Sequence, residues 1–229
     1  MDYLNILRAR ENRQTRKDRI AKPFDNFFET FDQCMDAGTK FLEGGIQPEY
    51  ASLIERSIII STVSAIEVYY RDMLDFIFKF CSPEFFEPKL KLLHTQKYDI
   101  LELQDIYAHN IHPLELVSKG QSFQNAEQIE KVFSLFLDKK NLWNSLKERQ
   151  IRRKDKPETI YKWSDDDLQG LKDTFALRHE LVHDPAHITF LTKGILSNLG
   201  AAGYMVWGSD KMLISMMVEN KDPNLKNGN

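Results

Sequence analysis

The sequence YASLIERSIIISTVSAIEVYYRDMLDFIFKF, residues 50–80, indicates the fold more directly than any other stretch of the chain. Its β-branched part, residues 57–68, also has the composition of a buried strand. The pattern is longer than a typical strand, and acidic and basic residues follow the apolar run; both features favour a helix. We therefore predict one long helix from about Tyr50 to Phe80, which ends before the Ser82-Pro83 pair.

Helical periodicity continues on both sides of this stretch. Upstream, phenylalanines spaced by three or four positions follow Pro23, a residue type favoured at a helix start. Downstream, Ser164 is a predicted N-cap, aspartates fill the first turn after it, and Pro185 ends the helix near His183. Shorter helices are predicted at 84–93, 98–108, 124–137, 139–149 and 187–199.

The composition also favours helices. Glycine and proline together provide 18 of the 229 residues, which is below their average share of about 12%. We predict a loop from Arg149 to Glu158, while residues 201–218 fit either a helix or a strand. The expected fold is all-α, with an N-terminal helical extension, a helical domain, and a C-terminal segment that carries a flexible tail. The boundaries of these three parts are 1–48, 49–200 and 201–229.

The cysteines and the apolar stretches bear on the location of the protein. Only Cys34 and Cys81 occur, which is typical of a protein from a reducing compartment rather than of a disulfide scaffold. The N-terminus lacks the apolar core of a secretory signal. The most apolar stretch, from Ile58 to Tyr70, is shorter than the roughly 20 residues that a membrane span requires. We expect a cytoplasmic protein without a membrane segment.

The net charge of −3 is unevenly distributed. Residues 1–22 carry a net charge of +4, and residues 139–163 carry +6. Basic runs of this kind form solvated surfaces or bind phosphates. Three cations of the second run are therefore candidates for phosphate binding, namely Arg152, Arg153 and Lys154.

Residues 178–183, Arg-His-Glu-Leu-Val-His, contain two overlapping site motifs. The first is His-Glu-x-x-His, in which His179 and His183 share a helix face and bind zinc while Glu180 acts as a general base. Pro185 ends the predicted helix too early for this motif, and no glutamate follows at close range as a third ligand. A zinc metallopeptidase is therefore the weaker interpretation, and we assign neither a metal nor a cofactor.

The second motif is Arg-x4-His, made by Arg178 and His183. At 100° per residue these two side chains lie about 140° apart around a regular helix, whereas His179 and His183 lie about 40° apart and share a face. Arg178 and His183 act together within one chain only if the last turn is distorted or if the arginine side chain wraps around the helix.

The Arg-x4-His motif and its flanks resemble the HEPN superfamily, all-helical domains of which many are metal-independent ribonucleases. The family motif is Arg, a polar residue, mostly apolar positions, and His near the end of a late helix. The matching positions here are Arg178, His179, Leu181, Val182 and His183. Residues 165–184 are similar to the terminal catalytic helix of the family, and residues 122–143 to the segment before it. The resemblance covers about residues 50–195.

The resemblance implies an HEPN-like helical bundle with additional helices that cleaves RNA without a metal. RNA supplies its own nucleophile, the ribose 2′-hydroxyl, so the site has only to move protons and stabilise the phosphorane. Histidine suits proton transfer near neutral pH, and the arginine fork matches phosphate oxygens. We therefore expect His183 and Arg178 to be catalytic and His179 to orient His183 or the substrate. The cations at 152–154 are expected to bind RNA.

The family resemblance also implies a homodimer in which the two Arg-x4-His motifs face one cleft. It further implies a role as a toxin or defence effector, with an antitoxin or regulatory protein as a second partner. It places Glu67 beside the Arg/His cleft. The alternative for Glu67 is an exposed helix face with an i,i+4 pair to Arg71. For the whole protein, the alternative is a non-catalytic helical module whose surface binds RNA or a protein partner. In that case Arg178 forms a structural ion pair, and His183 caps the C-terminal end of its helix.

Overall fold

The computed structural model describes residues 22–44, 50–93, 98–109, 112–138, 140–152, 158–184 and 190–225. These residues form nine α-helices and one two-stranded sheet, which confirms the predicted all-α class. The helices are α1 (Pro23–Leu42), α2 (Ala51–Phe80), α3 (Pro83–Leu93), α4 (Ile100–Ala108), α5 (Pro113–Lys119), α6 (Ala126–Phe133), α7 (Leu142–Lys147), α8 (Asp165–His183) and α9 (Lys193–Glu219). The strands are β1 (Gln150–Arg152) and β2 (Ile160–Lys162).

Helix α2 lies at the centre of the fold, as its long apolar pattern predicts. It packs against α1, α5, α8 and α9, so most of its circumference is covered by other helices. Tyr69 and Tyr70 are fully buried, and their hydroxyl groups form hydrogen bonds with side chains of α9. The Tyr70 hydroxyl lies 3.1 Å from Ser209 Oγ, and the Tyr69 hydroxyl lies 3.4 Å from Asp210 Oδ1.

Helices α8 and α9 pack closely along each other, because small residues face each other between them. A Cβ atom on Gly170 of α8 would lie 2.7 Å from the Cβ of Ala201 on α9 and 3.4 Å from the backbone of Asn198. No side chain fits at Gly170 without moving one helix. This contact fixes the position of α8, which carries the Arg-His-Glu-Leu-Val-His motif.

The C-terminal region corrects two predictions. Residues 201–218 are helical and belong to one continuous helix, α9, so the boundary placed after residue 200 falls inside a helix. Gly203 and Gly208 lower the intrinsic helix propensity of this stretch, but burial of its apolar side chains outweighs that cost. The start of the expected tail is ordered by backbone pairing. Asp222 N–H donates to the carbonyl oxygen of Phe80 at 2.9 Å, and the backbones of Lys221 and Cys81 pair in an isolated antiparallel β-bridge.

The predicted loop at 149–158 is partly a β-hairpin. Strands β1 and β2 pair antiparallel, with Ile151 opposite Tyr161, and these two side chains pack against the main core. Arg152 and Lys162 lie on the exposed face of the hairpin. Three-residue strands are too short for their alternation to be distinguished from a charged loop.

Three further elements differ from the predicted bounds. The helix predicted at 124–137 is α6 followed by a 3₁₀ turn, Ser134–Phe136, and the helix predicted at 139–149 is the shorter α7. Helix α5 was not predicted, although Pro113 stands at its start and the His112 ring accepts a hydrogen bond from Leu114 N–H as an N-cap. Among the described helices, none has both the length and the apolar character needed to cross a membrane.

Candidate functional site

The motif helix, α8, begins with the predicted cap. Ser164 Oγ accepts a hydrogen bond from Asp167 N–H at 3.2 Å, and Asp167 Oδ2 accepts one from Ser164 N–H at 2.8 Å. This reciprocal capping satisfies two amide groups that the first turn leaves without helical partners. At the other end Asp184 N–H donates to the carbonyl of Glu180 at 2.9 Å. The last turn is therefore regular, and the distortion that would bring His183 round to Arg178 is not present.

Arg178 points from α8 towards α2 and meets Glu67. Arg178 Nη2 lies 3.6 Å from Glu67 Oε1, and the two side chains are 19% and 13% exposed. This distance permits electrostatic attraction but is too long for a hydrogen bond. Among the described residues, the buried atoms Glu67 Oε1 and Arg178 Nε have no hydrogen-bond partner. Buried polar atoms without a partner are rare in folded proteins, and a catalytic role is one explanation for them.

The surroundings of Glu67 change its acidity. Burial raises the pKa of the Glu67 carboxyl group above its ordinary value, and the positive charges of Arg178 and Arg71 only partly offset this effect. Glu67 is half-buried against α8, unlike Ser61 and Ser64 on the preceding turns of α2, which are exposed. Its side chain therefore belongs to the contact with Arg178 rather than to a fully solvated helix face.

His179 and His183 lie together on the exposed side of α8, as their spacing predicts. Their ring centroids are 4.3 Å apart with an angle of 49° between the planes. Both side chains are exposed. Within the described parts of the chain, neither ring takes part in a hydrogen bond or an ion pair. Both imidazoles are accessible for proton transfer with a ligand.

The four predicted catalytic residues thus form two adjacent pairs. Glu67 and Arg178 face each other between α2 and α8, while the rings of His179 and His183 contact each other on the exposed face of α8. Over the described ranges, no group of three or more His, Cys, Asp or Glu side chains is placed to hold a metal ion. His187, the remaining histidine near the motif, lies outside the described residues.

Of the three predicted RNA-binding cations, Arg152 is the one that the structure describes, and it lies on the hairpin. Arg152 is exposed on the hairpin, and Arg153 and Lys154 lie outside the described residues. The hairpin precedes the N-terminal end of α8, and Arg178 lies 13 positions after Asp165, which corresponds to about 20 Å along a helix.

Two charged residues near the site were missed by the sequence analysis. Arg56 Nη2 donates a hydrogen bond of 2.5 Å to the carbonyl of Leu181, and Glu55 Oε1 accepts one of 2.9 Å from Leu191 N–H. Glu55 is only 3% exposed. One sequence signal was available, because Glu55 precedes Ile58 and Ile59 by three and four positions and so occupies the apolar face of α2.

No protein-family model, no curated protein and no solved structure matches the sequence or the fold.

Proposed function

We propose that the protein is a metal-independent endoribonuclease of HEPN type that cleaves RNA through attack of the ribose 2′-hydroxyl. The observation that carries this proposal is the largely buried Glu67–Arg178 ion pair, next in the chain to two exposed histidines whose rings are in contact. The guanidinium group of Arg178 matches phosphate oxygens in shape and charge, and the imidazoles are available for protons.

In the proposed mechanism each residue has a separate task. Arg178 holds the scissile phosphate and stabilises the charge that develops on its oxygens, while Glu67 orients the guanidinium group. His183 accepts the proton of the 2′-hydroxyl as that oxygen attacks phosphorus, and a second imidazole donates a proton to the departing 5′-oxygen. His179, at 4.3 Å from His183 between ring centroids, orients His183 or the substrate.

The placement of these groups supports a homodimer. Arg178 faces α2 while the histidines face outwards, so one chain does not direct both groups to the same point. A two-fold symmetric pair of chains would combine the arginine of one protomer with the histidines of the other. The exposed cation Arg152, together with Arg153 and Lys154, would then contact RNA away from the cleaved bond. We propose a cytoplasmic toxin or defence effector, controlled by an antitoxin or regulatory protein.

Replacing Arg178 by alanine tests the proposal. Wild-type protein is expected to cleave a mixed RNA pool, and R178A is expected to lose that activity because the phosphate loses its bidentate partner. Lys172→Ala is the matched control, since Lys172 is another cation of α8 and pairs on the surface with Glu127 at 3.1 Å. Cleavage is measured on denaturing gels. Folded R178A that cuts as fast as wild type would exclude Arg178 from the site.

The exposed apolar side chains of α4 favour a second candidate, a helical module that binds a protein. Ile100 and Tyr107 are 69% and 85% exposed, and only Ile106 of this helix packs inward, against Leu116. A helix of nine residues is marginal in water without a covering surface. The acidic residues on α4 would select a partner that combines apolar and basic side chains. A folded wild-type protein that never cleaves RNA would favour this candidate.

A further inference from the structure

The first turns of α2 contact the backbone on both sides of His183. Arg56 Nη2 donates to the carbonyl oxygen of Leu181, two residues before His183, at 2.5 Å. This carbonyl is one of the last four of α8, and the residue that would normally donate to it is Pro185, which has no N–H group. A guanidinium group is well suited to this position, because a cation complements the negative end of the helix dipole.

Glu55 holds the chain after His183. Its Oε1 accepts a hydrogen bond of 2.9 Å from the N–H of Leu191, one residue before the Thr192 N-cap of α9. Glu55 and Leu191 are 3% and 5% exposed. A buried carboxylate that accepts a backbone hydrogen bond is costly to replace, so this contact firmly fixes the return of the chain to α9.

We propose that Arg56 and Glu55 are positioning residues for His183. Neighbouring side chains of opposite charge bind backbone groups of opposite polarity, a carbonyl before His183 and an amide after it. They thereby fix the end of α8 relative to α2, the helix that supplies Glu67. This inference rests on the proposed nuclease function, in which the rate depends on the placement of the His183 imidazole.

The test compares variants that remove or keep each hydrogen bond. Arg56→Met keeps the length of the side chain but removes its donors, and Arg56→Lys keeps a donor. Arg56→Met is expected to lower kcat by up to about 10²-fold, the effect of a misplaced catalytic group, while KM stays close to the wild-type value. Arg56→Lys should recover most of kcat. Glu55→Gln, whose amide oxygen still accepts from Leu191, should behave like Arg56→Lys, and Glu55→Met like Arg56→Met.

A second measurement does not depend on activity. In NMR spectra, Arg56→Met is expected to shift the imidazole C–H signals of His183 and leave those of His109 and His112 unchanged. Lys79→Met, which removes another cation of α2, is the control. A folded Arg56→Met variant with wild-type kcat and an unshifted His183 would overturn the inference. If wild-type protein cleaves no RNA, the proposed function fails. The NMR comparison still decides whether Arg56 positions His183.

Discussion

Replacing His183 by alanine is expected to slow RNA cleavage by about 10²–10⁴-fold, the usual effect of removing a general acid or base. The side chain is exposed at the end of α8, so its removal creates no cavity and leaves the fold intact. Single-turnover rates at saturating enzyme concentration measure the chemical step directly. If the variant has the same unfolding temperature as wild-type protein, the loss of activity is due to the missing catalytic group and not to unfolding.

Glu180→Gln is the discriminating control for this prediction. Glu180 neighbours the histidines in sequence and is exposed, but the nuclease mechanism gives it no proton to move. Its replacement should leave the rate close to that of wild type. A zinc site of the His-Glu-x-x-His type makes Glu180 as essential as either histidine, because the glutamate then acts as the general base. An E180Q variant that loses as much activity as H183A would contradict the proposed mechanism.

Gly170→Ala is expected to destabilise the protein although alanine is the better helix former. The added Cβ would lie 2.7 Å from the Cβ of Ala201 on the facing helix, and overpacking of this kind costs about 1–3 kcal/mol. That cost exceeds the gain of about 0.5–1 kcal/mol from replacing glycine by alanine within a helix. The free energy of unfolding, measured by denaturant titration, gives the net effect.

Gly200→Ala is the matched control, because Gly200 also lies within a helix, α9. Its added Cβ would meet only Met35 Cε, at 3.7 Å, which is an ordinary van der Waals contact. This substitution should therefore stabilise the protein by about 0.5–1 kcal/mol. Equal changes in stability for the two variants would mean that α8 and α9 are not held together as closely as the structure indicates.

The fold was predictable where a local pattern agreed with the tertiary packing. Helix α2 carries a long apolar pattern, and α8 has a reciprocal cap at Ser164 and a proline after its end, so both were predicted with nearly correct bounds. Residues 201–218 of α9 were ambiguous because their glycines and β-branched residues give no local preference, and contacts with other helices decide their conformation. The β-hairpin was missed because each strand has only three residues.

The geometry of the motif along α8 was predictable from the sequence, whereas its contacts with α2 were not. The spacing of His179 and His183 gave their shared face, and the angular separation of Arg178 from His183 anticipated that they would point in different directions. Contacts with α2 had no such signal. Arg56 and Leu181 are 125 positions apart in the chain. Arg56 binds the backbone carbonyl of Leu181, and a backbone carbonyl is present at every residue, so the sequence around Leu181 does not reveal this contact.

In the proposed mechanism the 2′-hydroxyl of RNA is the nucleophile and no metal takes part. An RNA oligonucleotide with one mapped cleavage site, incubated with the purified protein in EDTA, tests both points. We expect cleavage that leaves a 2′,3′-cyclic phosphate and a 5′-hydroxyl end, and no cleavage when hydrogen replaces the 2′-hydroxyl next to the cleaved bond. Cleavage of the 2′-deoxy oligonucleotide, or complete inhibition by EDTA with stoichiometric zinc in the protein, would contradict this mechanism.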